Sequence, residues 1–145
     1  MNAPSRDAAP RGFEYIDHTA DIGIRAWGPT LAAAFEEAAR GLVANMVEVD
    51  AAKEVGEAAL SVDAESIERL LFRFLEEVLF LFETERWVIV RAQVRFSGET
   101  KLDARLFGEA YDASRHGHVH EIKAITFHDL AVQRAPPEVR VIVDI

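Results

Sequence analysis

The residues best suited to chemistry are acids at opposite ends of the chain. Near the start, Asp17-His18-Thr19-Ala20-Asp21-Ile22-Gly23 opens a strand-like run, and at the far end Val143-Asp144-Ile145 sets a side-chain carboxylate beside the terminal one. Oxygen-rich donors of this kind suit a hard divalent cation such as Ca²⁺, Mg²⁺ or Mn²⁺. If Asp21, Asp144 and Ile145 meet, the protein is metal-dependent and its last residue belongs to the site. The same residues also allow a plainer arrangement, with Asp21 ending a turn and Asp144 on a solvated strand end. Spacing alone leaves both open.

Histidines are the second candidate set. His116, His118 and His120 occupy alternate positions, so in an extended segment all three would face one way, and with His18 and His128 they could form a nitrogen-rich transition-metal site. Gly117 argues for a loop there instead. Lys123 interrupts the apolar run Glu121-Ile122-Lys123-Ala124-Ile125-Thr126-Phe127-His128, either as a snorkelling edge lysine or as a cation beside the acids. Asp17 and His18 are a poor acid–base dyad, because neighbours on a strand point to opposite faces. The chain has no Gly-rich phosphate loop, nucleophile elbow, HExxH or paired-cysteine motif.

The elements that must position these residues read as follows. Ile22, Ile24 and Ala26 alternate with Gly23, Arg25 and Trp27, a strand in which Asp21 shares the parity of Gly23 and Arg25. Thr30 then caps a helix whose stripe is Leu31, Ala34, Phe35, Ala38, Leu42 and Met46, with Gly41 as a weak point. A strand over 56–62 precedes a second helix, capped by Asp63 or Ser66, with a broad apolar face from Ile67 to Phe82. The 90–96 and 102–106 runs form a hairpin around Ser97-Gly98-Glu99-Thr100. After a polar loop over 112–120 come a strand from Ile122 to Val132, a break at Pro136-Pro137, and a closing strand. In that last strand Val139, Val141, Val143 and Ile145 share one face, so the terminal side chain can anchor in the core while Asp144 points elsewhere. This order predicts an α+β fold, two helices packed on a mainly antiparallel or mixed sheet.

Composition narrows the function classes. The chain has 145 residues, half of them apolar, which is long enough for one domain burying roughly 70% of its unfolded surface. We assign residues 1–12 to an N-terminal tail and 13–145 to a single domain. There is no cysteine, which excludes disulfides, thiolate metal sites and cysteine nucleophiles. Neither a signal-peptide h-region nor an uninterrupted membrane span is present, so the cytoplasm is the expected compartment and no membrane partner is expected. Asp and Glu outnumber Lys and Arg by 25 to 16, which disfavours independent nucleic-acid binding and favours cations or basic proteins as partners.

Three segments, in order, resemble the archease family. They are Tyr15-Ile16-Asp17-His18-Thr19-Ala20-Asp21-Ile22-Gly23-Ile24-Arg25-Ala26 with Gly28, Leu31, Ala34 and Phe35; His116 with the 121–128 run; and Val143-Asp144-Ile145. The similarity runs from about Phe13 onward. It implies strand-helix-strand-strand modules in a duplicated or intertwined form. It also implies a cofactor protein, not itself an enzyme, for an RtcB-type RNA ligase in tRNA splicing or RNA repair, promoting guanylylation and multiple turnover of the ligase. The family's metal ligands carry over to Asp21, Asp144 and Ile145, the last through main-chain or terminal oxygen, with Lys123 and then His116 or His128 assisting. The segment Gly117-His118-Val119-His120 is richer in histidine than the family pattern, so no role is carried over to His118 or His120. Two other readings stay open: a stand-alone metal-dependent phosphohydrolase, and a general chaperone-like adaptor.

Overall fold

A computed structural model describes residues 10–17 and 21–145 of the chain; His18 and most of the tail lie outside the described residues. Nine elements follow in order: β1 (Gly12–Asp17), β2 (Asp21–Trp27), α1 (Leu31–Met46), β3 (Gly56–Asp63), α2 (Ile67–Glu85), β4 (Trp87–Ser97), β5 (Lys101–Ala110), β6 (Ala124–Arg134) and β7 (Pro137–Asp144). The class is α+β as expected and every strand pairing is antiparallel, but the strands divide between two sheets. One has the order β1-β2-β7-β6 and the other β3-β5-β4.

The connectivity shows an intertwined duplication. In β3-α2-β4-β5 the last strand lies between the other two, and in β2-α1-β6-β7 the last strand again lies between the other two. The first of these modules is inserted between α1 and β6 of the second. The strand β1 is an addition at the β2 edge, and the sequence reading missed it. Arg11 and Gly12, assigned from sequence to the tail, join the fold: Gly12 starts β1 and Arg11 pairs with Glu36 and Glu37 of α1.

Both helices begin as the sequence predicts. The Thr30 hydroxyl accepts from the Ala33 N–H at 3.1 Å and the Ser66 hydroxyl from the Arg69 N–H at 3.2 Å. Each satisfies a backbone donor that the first helical turn leaves without a partner, worth about 1 kcal/mol. At the other end of α2, Arg86 adopts the left-handed conformation and its N–H returns to the Phe82 carbonyl at 2.9 Å.

Helix α1 lies at the centre and touches both sheets. Phe35 stacks on Phe74 of α2 and meets Phe96 of β4 edge-on, at ring separations of 6.2 and 5.0 Å. Burying such a ring contributes about 2 to 3 kcal/mol. Gly41, the weak point in the helix pattern, is there for space: a Cβ would sit 3.0 Å from the Phe13 ring and 3.2 Å from Ile24. Helix α2 packs across onto β6 of the other module, where Phe72 meets Phe127 at 5.1 Å. These crossings fix the ends of β2, β6 and β7 relative to one another.

Candidate metal centre

Two of the predicted acids meet on one rung. In the β2/β7 ladder Asp21 lies directly opposite Asp144. Opposed residues of an antiparallel pair project from the same face with Cα atoms about 4.5 to 5.5 Å apart. Both carboxylates therefore share the face carrying Gly23 and Arg25 on β2 and Ile142 and Arg140 on β7. Asp21 is half-buried and Asp144 exposed. Like charges set opposite each other on a sheet are destabilising unless something offsets them. Among the described residues no ion pair reaches Asp144. The nearest arginine of that face on β2, Arg25, is committed to Glu14 and Glu138 at 2.7 and 2.9 Å.

The chain beyond the rung is held from two directions. The Ile145 side chain packs against the core, as its parity with Val143 predicts. The Lys123 N–H donates to the Asp144 carbonyl at 2.8 Å, and Ala124 opens the β6/β7 ladder opposite Asp144. Lys123 thus adjoins the rung through its backbone. Its exposed side chain lines a groove of about 320 Å³ against Glu76, Phe80 and Glu83 of α2.

The histidines separate. His128 sits where the β6/β7 register shifts, is exposed, and approaches Asp129 at 3.3 Å. His118 and His120 line a second cleft, of about 590 Å³, with Phe82, Arg86 and Tyr111. The segment is a loop, as Gly117 argued, and His116, which in an extended segment would face the same way as those two, is fully buried. The cause is a turn: the Asp112 carboxylate accepts from the Ser114 N–H and hydroxyl, and the Arg115 and His116 N–H groups return to the Asp112 carbonyl. This reversal sends His116 inward and leaves its alternate neighbours outside. Among the described residues no group of three His, Asp or Glu side chains is placed to hold a metal, so the nitrogen-rich site does not form there.

His116 has a structural task that the sequence reading missed. Its Nδ1 accepts from the Asp112 N–H at 2.8 Å, which makes Nε2 the protonated nitrogen that donates to Glu109 at 2.8 Å. Glu109, nearly buried, also accepts both forks of Arg115 at 2.9 Å and the Lys53 N–H at 3.1 Å. The Arg115 bonds first, then the His116 bond, pull its carboxyl down to about 2. Glu109, Arg115 and His116 do not together fit one helix or strand period, so only the fold could bring all three together.

The donor set at the Asp21–Asp144 rung, two carboxylates plus neighbouring main-chain oxygens, matches a hard cation and lacks the nitrogen and sulfur ligands of a zinc site. The archease protein family profile matches residues 13–145. Protein archease of Pyrococcus furiosus is 39% identical over 129 residues, covering 87% of this chain and 91% of that one. An archease-like protein of Drosophila melanogaster is 33% identical over 140 residues, covering 92% and 90%. Among solved structures, a Methanobacterium thermoautotrophicum protein superposes with a TM-score of 0.78 at 28% identity, covering 92% of this chain and 99% of its own. A Thermotoga maritima archease, described as a possible chaperone, shares the fold with a TM-score of 0.54 at 22% identity, over 90% and 94%. The chain belongs to the archease family.

Proposed function

We propose that this protein is a metal-binding activator of an RtcB-type RNA ligase, acting in the cytoplasm in tRNA splicing or RNA repair, and not itself an enzyme. The observation that carries this reading is the Asp21–Asp144 rung, two carboxylates opposed on one sheet face. Asp21, Asp144 and the main-chain oxygens of Ile145 would hold a divalent cation, Ca²⁺ or else Mg²⁺ or Mn²⁺. When bound, the cation supplies charge stabilisation for a transferred phosphoryl group. The ladder holds the two acids in fixed relation, and the core-anchored Ile145 side chain holds the third donor. Two side-chain ligands leave coordination positions open, which suits a site completed by a partner. Lys123 supports the rung through its backbone, its N–H bonded to the Asp144 carbonyl, while its side chain lines the groove beside α2. His116 is occupied by Glu109 and Asp112, and His128 stands apart in β6, so neither has a part in this account.

The test is single-turnover guanylylation of a cognate ligase with and without this protein. Stimulation should fall to the unassisted rate with Asp21→Ala or with Ile145 removed. If both variants stimulate like the unmodified protein, the metal mechanism is wrong. A chaperone-like adaptor role, suggested by the description of the Thermotoga maritima relative, predicts stimulation that is indifferent to chelator.

A further inference from the structure

Phe80 is the most exposed phenylalanine among the described residues, at 60%. It lies on the outer face of α2, and the positions four before, three before and three after it are Glu76, Glu77 and Glu83. At those spacings the three carboxylates surround the ring on the helix surface. All three are exposed and, among the described residues, enter no ion pair. Three other exposed glutamates are matched: Glu54 with Arg91, Glu57 with Arg105, Glu65 with Arg69. Phe127, the other exposed phenylalanine, and the half-buried Phe107 are matched too. Arg69 lies over Phe127 at 5.0 Å, and Arg91 and Arg105 flank Phe107 at 4.0 and 5.3 Å. Phe80 alone of these three rings has the acids and lacks the guanidinium.

We infer that this face of α2 docks an arginine-bearing basic segment of the partner protein, its guanidinium stacked on Phe80 and hydrogen-bonded by Glu76, Glu77 and Glu83. Arginine fits because its planar cation stacks on a ring face while its N–H groups reach carboxylates in the surrounding plane. The groove of about 320 Å³ between α2 and the start of β6 gives the segment a place to lie, with Ala124 and Ile125 as its apolar floor. Lys123 on the far wall sets the polarity: a basic segment is held toward α2 and repelled from β6. The groove also adjoins the Asp21–Asp144 rung through Lys123, so a docked partner is brought to the metal centre. This inference rests on the proposed function for the identity of the partner, a ligase of the RtcB type.

The experiment is biolayer interferometry of the immobilised cognate ligase against the wild type, Phe80→Ala, Phe80→Leu and the triple variant Glu76→Gln/Glu77→Gln/Glu83→Gln, with guanylylation by the wild type measured in parallel. All four side chains are exposed, and unchanged melting temperatures would confirm that the variants fold. Loss of the anchor ring or of the three charges should weaken Kd at least about tenfold each. Phe80→Leu, which keeps an apolar side chain but no ring, should weaken it as well, and the triple variant should lose most of the salt dependence. If the wild type stimulates the ligase while every variant binds equally well, the docking surface is overturned and the proposed function stands. If the wild type neither binds nor stimulates, the proposed function falls and the docking surface with it.

Discussion

The first rung of β2/β7 and the first rung of β3/β5 hold the same place in two modules of the same topology, and they are filled in opposite ways. One pairs Asp21 with Asp144, the other Gly56 with Gly108. The glycines answer to packing: a Cβ on Gly108 would stand 1.8 Å from the Val88 carbonyl oxygen, and one on Gly56 would press on the Trp87 ring at 3.3 Å. Both acids that adjoin the glycine rung are neutralised inside the protein, Glu57 by Arg105 and Glu109 by Arg115 and His116. Asp144 has no such partner among the described residues. At this rung, then, packing excludes side chains and the neighbouring acids are paired within the protein. The other module instead sets two carboxylates face to face, with Asp144 exposed and in no ion pair among the described residues, which is why we assign this rung to a ligand.

Substitutions at the two rungs should separate these roles. Gly108→Ala should have the largest effect, because the obstruction is backbone and cannot turn aside. We expect a loss of about 3 kcal/mol in chemical denaturation, with cation binding at the other rung retained. Next, calcium at a hundredfold excess over its Kd should stabilise the wild type by about 2.7 kcal/mol, seen as a rise of about 5 to 10 °C in Tm. Asp144→Asn should abolish that rise.

His116→Phe should follow, costing about 2 kcal/mol, because it strands the Asp112 N–H and removes a donor to Glu109. The same cluster predicts an acid dependence. Glu109 is held at about 2 in the folded protein against an ordinary 4.5, so its contribution is present above 4.5 and is lost as pH falls through that window toward 2. Glu109→Gln should flatten this part of the stability–pH curve. The smallest effect should be that of Asp144→Asn without metal: relief of like-charge repulsion makes it neutral or more stable by about 0.5 kcal/mol.

Much of this arrangement was legible in the residues. Alternation placed Asp21 on the Gly23/Arg25 side and sent the Ile145 side chain to the core. Thr30 and Ser66 marked both helix starts, and Gly98 marked the hairpin turn, where its φ is 70°. The split into two sheets was not legible, because strand pairing over long separations leaves no local period to read. β1 escaped because Gly12 to Asp17 is short, and its apolar side chains Phe13 and Tyr15 acquire meaning only against Gly41 of α1. The inward turn of His116 depended on the hydrogen bonds of Asp112, which override the alternation expected of an extended segment. Period-2 reasoning held along β2 and β7, where a ladder fixes the backbone; over 112–120 no such ladder does, and Gly117 had argued for a loop there.

The central claim is that the acid rung binds a divalent cation, and calorimetric titration of Ca²⁺ into metal-free protein tests it most directly. The account predicts one site in the wild type, lost in Asp21→Asn and in Asp144→Asn and retained in Glu109→Gln. Equal affinity in the wild type and both rung variants would contradict it.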